Sequence, residues 1–319
     1  MTTPLAVGLS AVIVAAGEEA PCALTTRRGQ DAAGLPHGPF DPAGHRTFEL
    51  GLRDWVGAQT GFELGYVEQL YTFGDRGRER PQADLGGAPA DARLISVGYL
   101  GLTPERTDIS AFDAVWSDWY RFFPWEDHRR GRPASIDARL APALAAWAET
   151  SEAEASGRLD RARLAFGLEG RVWAEERTLE RYELLYEGGL TPEAVRDRAG
   201  SAEGTRLTPG VYGEPMISDH RRILATAIGR LRGKIKYRPV VFELMPETFT
   251  LSSLQKVVEA VLGQSLHKQN FRRALDRSGL VEGVGARATA TGGRPAELFR
   301  FRRHAVPQGS ALGVATPKA

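Results

Sequence analysis

Apolar residues in the first hundred positions form short runs typical of strands, interrupted by one stretch with the period of a helix. In that stretch Phe48, Leu52, Trp55 and Val56 recur at helical spacing, and Gly61 follows where a helix is expected to end. Glycine and proline separate the runs, as they do in turns. The pattern predicts an α+β segment with strands at 10–16, 23–26, 66–73 and 93–102, a helix at 47–61 and a loop at 34–44.

The composition changes after residue 103. Aromatic residues crowd into a short stretch, and alanine-rich, strongly charged sequence of helical type follows from 136 to 186. Such an aromatic cluster anchors a satellite core more often than it forms a ligand or partner surface. We therefore predict a mainly helical insertion over 104–216. Its aromatic residues are Trp116, Trp119, Tyr120, Phe122, Phe123 and Trp125.

Regular periodicity returns at residue 219 and continues almost to the end of the chain. One apolar stripe predicts a helix over 219–231 that ends near Gly233, and 240–244 has the composition of a strand or a linker. Thr250 suits the N-cap of the next helix, which Gly263 ends, and Gly279 ends another helix that begins at 267. Two strands, at 280–284 and 297–302, flank a glycine-rich basic loop at 285–295. Two helices followed by such a hairpin predict a winged helix-turn-helix, and the residues beyond 303 are expected to be disordered.

Composition narrows the class of protein. The chain has 319 residues, of which 42% are hydrophobic, enough for more than one domain. Its one cysteine, Cys22, excludes a disulfide framework and fits a reducing cytoplasm. The apolar stretch from Leu5 to Ala16 is shorter than the roughly 20 residues that span a bilayer, so we expect a buried strand there and a cytoplasmic protein without a membrane partner.

The net charge of +1 conceals an asymmetry along the chain. Positions 219–303 contain 17 Lys and Arg against 7 Asp and Glu, a surplus of ten, which leaves −9 for the rest of the chain. A basic module of this kind is typical of proteins that bind the phosphates of nucleic acids, although a solvated basic face has the same composition.

The predicted second helix of the winged module has the chemistry of a DNA reader. Amide and guanidinium side chains near its N-terminal half are long enough to reach base edges in the major groove, and the arginines of the wing can reach phosphate or the minor groove. The alternative is a winged helix that contacts protein. The residues predicted to bind double-stranded operator DNA are Lys268, Gln269, Asn270, Arg272, Arg273, Arg277, Arg287 and Arg294.

The stretch 38–62 resembles the Nudix box, a loop-helix-loop in which glutamates bind magnesium and activate water for pyrophosphate hydrolysis. When the end of the box is aligned on Gly61 and Phe62, Arg46 and Trp55 occupy glutamate positions, and Ala58 and Gln59 replace the metal-binding pair. Neutral or basic side chains do not replace anionic oxygen ligands for magnesium. We therefore predict no catalytic residue and no metal site.

Longer segments at both ends of the chain are similar to Nudix-related transcriptional regulators of NAD metabolism, the NrtR-like proteins. The large insertion is more like the longer alphaproteobacterial branch, the NadQ-type regulators. The segments that carry the resemblance lie at 52–61, 65–78, 219–237, 242–251, 270–273 and 293–296.

The resemblance implies a dimeric repressor of NAD biosynthesis genes that needs no cofactor and senses an adenine nucleotide, namely NAD, ATP or ADP-ribose. It also implies an α+β fold, in which a degenerate Nudix-like α/β/α sandwich with a mainly helical insertion precedes the winged helix-turn-helix. The predicted domains are a sensor at 1–103 and 217–238, the insertion at 104–216, the winged helix at 239–304 and a tail at 305–319. Ligand residues carried over from the matched segments are Arg28, Arg53, Glu68, Tyr71, Asp75 and Arg76.

Five of these residues, the three arginines, Tyr71 and Glu68, also have an ordinary structural role as the alternative. The arginines would then form surface salt bridges, Tyr71 would be a core ring, and Glu68 would pair with a nearby arginine. Two other functions stay open at this point. One is an active Nudix-type pyrophosphatase for ADP-ribose or NAD with an accessory winged helix, which the missing glutamates disfavour, and the other is a scaffold that binds protein.

Overall fold

A computed structural model describes residues 4–27, 32–78, 92–198, 210–288 and 295–303. Its centre is one mixed sheet whose strands lie in the order β4-β5-β1-β2-β6, with the short β3 paired to β1. Strands β1 and β5 run parallel from the pair Leu5–Arg93 to the pair Ala15–Thr103, and the other pairings are antiparallel. The strands are β1 (Leu5–Ala16), β2 (Pro21–Thr26), β3 (His37–Pro39), β4 (Tyr66–Phe73), β5 (Arg93–Thr103) and β6 (Ala114–Asp118).

The sheet lies between two long helices, which makes an α/β/α sandwich. Helix α1 (Phe48–Thr60) packs on one face, where its Leu52 and Val56 meet Ala11 and Ile13 of β1. Helix α6 (His220–Ile235) packs on the other face, where the alternate residues of β1 point. Strand β1 is therefore buried on both faces, which explains why its sequence is almost uninterruptedly apolar.

Two strands of this sheet differ from the sequence prediction. The range 34–44, predicted to be a loop, contains β3, whose three residues are too few to show a period. Strand β6 lies inside the range predicted to be the insertion, and it pairs with β2 from Ala114–Thr26 to Asp118–Cys22. The sheet therefore continues beyond residue 103, the predicted limit of the first part of the sensor.

The rest of the insertion is mainly helical in the residues that the structure describes. Most of its aromatic residues are core residues, but the core is not a separate satellite: Trp119, Phe122 and Trp125 are buried in the same cluster as α6 and the winged helix. Trp116 is half-buried and packs on the α1 side of the sheet. A π-helical turn (Ile136–Leu140) leads into α2 (Ala141–Ala148), which is followed by α3 (Ala155–Phe166), α4 (Thr178–Glu187) and α5 (Pro192–Arg198).

Helix α6 ends two residues beyond Gly233, past the predicted end, because Ile235 is buried in the core. The next segment, Val240–Leu244, is a 3-10 helix, and this corrects the prediction of a strand or linker. Its buried valine and phenylalanine side chains have the composition of a strand, but no neighbouring strand pairs with them among the described residues.

The C-terminal module is a winged helix-turn-helix made of α7 (Leu251–Leu262), α8 (Lys268–Ser278), β7 (Val281–Ala288) and β8 (Ala296–Phe301). The Thr250 hydroxyl caps α7 by accepting a hydrogen bond from Ser253 N, and Gly263 ends that helix in the left-handed region, with φ 72°. Strand β7 extends to Ala288, further than predicted.

The predicted tail, 305–319, lies outside the described residues. Across the part of the chain that the structure describes, no helix is long and apolar enough to cross a membrane.

Candidate functional site

The outer face of α8 is exposed and basic. Phe271 and Leu275 hold the helix in the core, while Lys268, Arg273 and Arg277 are exposed. None of the cationic side chains of α8 forms an ion pair within the described ranges, and the three exposed ones present their positive charge to solvent. Gln269 and Asn270 share this exposure, whereas Arg272 is half-buried and donates from Nη2 to Ser252 Oγ at 3.3 Å.

The wing brings one further predicted residue to the surface. Arg287 lies exposed on β7, after an irregularity in the pairing that begins at Gly283, and Gly285 adopts a positive φ of 72° there. Arg294 lies outside the described residues. At the base of the hairpin Arg300 and Arg302 both donate to Glu282, at 2.6 and 2.9 Å, so their charge is partly neutralised.

Helix α1, which resembles the Nudix helix, uses its box positions to hold β3 in place. Trp55 Nε1 donates to Pro39 O at 2.8 Å, and the Gln59 side chain accepts from His37 N at 3.1 Å and donates to His37 O at 2.5 Å. A Cβ on Gly38 would overlap the Trp55 ring, so the strand and the ring are in direct contact. This face of the helix is filled by packing and backbone hydrogen bonds. Within the described residues, no group of three His, Cys, Asp or Glu side chains is placed to hold a metal ion.

Arg53, one of the predicted ligand residues, lies on the α1 side of the sheet. Its guanidinium donates to Glu49 Oε1 at 3.0 and 2.8 Å, to the Leu64 carbonyl, and to Gly65 O at 3.2 Å. The side chain thus ties α1 to the segment before β4. Arg53 therefore forms the surface salt bridge of the alternative interpretation, with Glu49, and in addition donates to two backbone carbonyls.

Glu68 and Asp75 lie on the opposite side of the sheet, where they contact α6. Glu68 pairs with Lys234 and accepts from the Tyr66 hydroxyl at 2.6 Å. Burial raises the pKa of Glu68, but the hydrogen bonds from Lys234 and Tyr66 outweigh it, so its pKa lies below the ordinary value. Asp75 pairs with Arg222, and that hydrogen bond lowers its pKa.

The remaining predicted ligand residues are spread apart. Tyr71 is 61% exposed on the edge strand β4 and is not the core ring of the alternative interpretation. Arg76 is exposed in the turn after β4, and Arg28 lies outside the described residues. The structure therefore groups Glu68 and Asp75 along α6 and leaves Arg53 across the sheet from them.

Sequence reasoning missed the partners of these carboxylates, the α6 residues Arg222 and Lys234. Arg222 also contacts Asp219 at 3.2 Å and Glu183 at 2.6 Å. Asp219 is buried so deeply that its pKa rises to about 7, although Arg222 and Arg78 lower it. The only sequence signal was that 219–237 belongs to the segments that resemble the NAD regulators.

Comparisons with known proteins agree with this architecture. Residues 241–301 match the family model described as the NrtR DNA-binding winged helix domain. Among solved structures, the chain superposes on Shewanella oneidensis NrtR in complex with a 27mer DNA with a TM-score of 0.53 and 19% identity, over 93% of each chain. The chain is similar to NrtR in fold. The predicted resemblance to NrtR-like regulators and the predicted combination of a Nudix-like domain with a winged helix are thereby confirmed.

Two further proteins share parts of this similarity. A MutT/nudix family protein from Enterococcus faecalis superposes with a TM-score of 0.53 and 14% identity, over 95% of this chain and 88% of that one. A protein of Acinetobacter baylyi, named "ADPR responsive transcriptional repressor NtrR", is 43% identical over 83 residues, which are 26% of this chain. The match to this curated relative spans about a third of its length, 33%.

Proposed function

We propose that this chain is a transcriptional repressor of NAD biosynthesis genes that binds operator DNA through α8 and the wing. The single observation that carries the proposal is the row of exposed cations on α8, unpaired within the described residues, in a domain that matches the NrtR DNA-binding winged helix. A helix that presents guanidinium and amide donors to solvent, with no ion pair to its cations among the described residues, suits a polyanion.

We propose that the DNA-bound form is a homodimer, so that two copies of α8 reach successive major grooves about one helical turn apart. The operator would then be palindromic. We place the protein in the cytoplasm, in keeping with contact to chromosomal DNA. The division into sensor, insertion and winged helix stays part of the proposal, with β6 added to the sensor sheet.

The effector that we propose is ADP-ribose, with NAD and ATP as the competing adenine nucleotides. The Acinetobacter baylyi relative is named for its response to ADP-ribose. In this chain Tyr71 and Arg76 are exposed and Arg53 is half-buried, whereas the carboxylates of Glu68 and Asp75 are already paired with cations of α6. A nucleotide would therefore meet guanidinium and aromatic groups more readily than carboxylates.

We propose that the sensor does not hydrolyse the nucleotide that it binds. Hydrolysis in this fold needs anionic ligands for magnesium on α1, and the matched positions carry Trp55, Ala58 and Gln59. Two of these side chains hold β3 through hydrogen bonds. The side chains at these three positions are neutral, and neutral side chains do not replace the anionic oxygen ligands of magnesium.

One experiment tests the proposal as a whole. Purified full-length protein is titrated onto duplexes from upstream of its own gene and of NAD synthesis genes, at several salt concentrations, with and without ADP-ribose, NAD and ATP. We expect sequence-specific binding that weakens steeply with salt and changes most with ADP-ribose. Absence of binding to every duplex, together with magnesium-dependent release of AMP from ADP-ribose, would replace the repressor with a pyrophosphatase.

A further inference from the structure

The turn between α7 and α8 is hydrogen-bonded to the sheet domain and the insertion. This turn comes directly before the proposed recognition helix, so its position sets where α8 points. Groups from outside the winged helix bond to Ala260 and Val261 in the last turn of α7, and to Gly263, Gln264 and Ser265 in the turn that follows. The bonds are Tyr120 Oη to Ala260 O at 2.7 Å, Arg232 Nε to Val261 O at 2.9 Å, His128 N to Gly263 O at 2.7 Å, Gln264 Nε2 to Glu175 Oε2 at 3.5 Å, and Ser265 Oγ to Arg129 O at 2.8 Å.

The contact is backbone against backbone at its centre. Gly263 is in the left-handed region, and a Cβ there would overlap the carbonyl oxygen of Glu126 and meet Arg232 Nη2 at 2.9 Å and Tyr120 Oη at 3.0 Å. No side chain of the turn separates the two parts. A small displacement of these groups therefore has to move the turn as well, because close-packed contacts of this kind do not absorb it.

Arg232 is the residue that joins the turn to the sensor helix. It is fully buried on α6, pairs with Glu126 and also donates to Glu175 O at 3.1 Å and Thr178 Oγ1 at 3.2 Å. Arg181 of the insertion, also fully buried, donates from Nε to the other oxygen of Glu126 at 2.5 Å. The Glu126 carboxylate thus binds two guanidiniums, and that of Arg232 also contacts the winged helix.

The same helix contacts the candidate sensor residues. Lys234, two positions after Arg232, pairs with Glu68, and Arg222 near the start of α6 pairs with Asp75. Helix α6 therefore touches β4, the segment that follows β4, and the last turn of α7. As a rigid element of 16 residues, it can carry a displacement from the sheet to the turn.

From these contacts we infer that Arg232 is a positioning residue for DNA binding: through Val261 O and the Glu126–Arg181 pair it fixes α8 relative to the sensor, and it is the route by which α6 changes operator affinity. The inference rests on the proposed function for its DNA readout. The geometry of the turn itself does not depend on that function.

Two variants separate positioning from folding. Arg232→Met removes the bond to Val261 O and leaves Glu126 with Arg181, a balanced pair, so no buried carboxylate loses its last partner. Tyr120→Phe removes only the hydroxyl that donates to Ala260 O. Tyr186→Phe is the matched control, because its hydroxyl donates to Asp197 Oδ2 at 3.0 Å within the insertion, away from the turn.

The experiment measures amide hydrogen exchange and operator binding on the full-length variants. For Arg232→Met and Tyr120→Phe we expect the amides of Gly263, Leu266 and His128 to exchange faster by roughly fivefold, the factor that one net hydrogen bond contributes to an equilibrium. We expect operator affinity to fall by a similar factor with an unchanged dependence on salt, because neither side chain contacts phosphate. The ratio of affinities with and without ADP-ribose should move toward one. Tyr186→Phe should change none of these.

The outcomes distinguish the two proposals. If wild-type protein binds no operator, the proposed function fails, and the exchange rates alone decide whether Arg232 and Tyr120 hold the turn. If wild-type protein binds DNA and both variants keep its exchange rates and affinity, Arg232 is not a positioning residue. A loss of affinity with a reduced salt dependence would also overturn the inference, since it would indicate a direct contact to phosphate.

Discussion

Two arginine-rich regions of this molecule use the same side chain in opposite ways. In the insertion many of the guanidiniums are matched with carboxylates, for example Arg132 with Asp137, Arg161 with Glu187, and the buried Arg181 with Glu126. On α8 the guanidiniums and the one ammonium have no acidic partner within the described residues. The first arrangement stabilises a fold, and the second leaves charge for a partner. The density of arginine in the sequence does not separate these roles, because the carboxylate partners in the insertion lie up to 93 positions away.

The largest expected effect in this comparison comes from removing the carboxylate that two buried guanidiniums share. In Glu126→Gln, Arg181 and Arg232 would both lose their counter-charge in a fully buried site. Breaking a buried ion pair costs about 3–5 kcal/mol, so the free energy of unfolding should fall by roughly that amount. Denaturant-induced unfolding followed by circular dichroism measures it.

The control for this variant is Glu187→Gln, which removes an exposed partner. Arg161 and Glu187 are joined at 2.7 Å, but their side chains are 52% and 38% exposed. Such pairs contribute less than about 1 kcal/mol. Equal losses of unfolding free energy in the two variants would mean that burial does not distinguish the charges of the insertion.

The next largest expected effect is a pH dependence of the unfolding free energy, which arises from a histidine beside these arginines. His128 stacks on Trp173 with 4.1 Å between ring centroids, and burial, together with Arg181 and Arg132, outweighs Glu126 and lowers its pKa to about 4. The folded protein therefore binds fewer protons than the unfolded chain between that value and the ordinary 6.5. Stability due to this group is complete above pH 6.5 and is lost as the pH falls toward 4, by about 3 kcal/mol.

His128→Phe tests this pH dependence because it keeps an aromatic ring against Trp173 and removes the titration. The unfolding free energy of the variant should change less between pH 6.5 and 4.5 than that of the wild type. Other acidic groups titrate in both proteins and cancel in the difference. Parallel pH profiles for the two proteins would show that His128 accepts a proton without penalty and that the insertion tolerates another cation.

Local periodicity was sufficient to predict α1, α6, α7, α8 and most strands, whereas the separate helices of the insertion were not distinguished. The N-cap at Thr250 and the glycines at 263 and 279 marked the limits of α7 and α8, since these residues act through their own backbone neighbours. Strands β3 and β6 were missed because three and five residues show too little of a period, and because β6 stands among aromatic residues that suggested a separate core.

The site was less predictable than the fold. The exposed face of α8 follows from helical spacing alone, and the structure shows that exposure for Lys268, Gln269, Asn270, Arg273 and Arg277. In contrast, the partners of Glu68 and Asp75 lie more than 140 positions away on α6, and no local pattern indicates them. The link between Arg232 and Glu126 likewise spans 106 positions and depends on how three segments pack together.

The smallest effect on stability, and the sharpest test of the comparison, comes from α8 itself. Arg273 is exposed and has no ion pair within the described residues, so Arg273→Ala should change the unfolding free energy by less than about 0.5 kcal/mol. It should weaken operator binding by about 1–3 kcal/mol if the guanidinium reads a base, or weaken all duplexes alike and reduce the salt slope by about one if it contacts phosphate. Arg161→Ala in the insertion is the matched control and should leave operator affinity unchanged, because its charge is already balanced by Glu187. Equal operator affinities for wild type and Arg273→Ala would place the DNA contact elsewhere, and a loss with Arg161→Ala alone would assign it to the insertion.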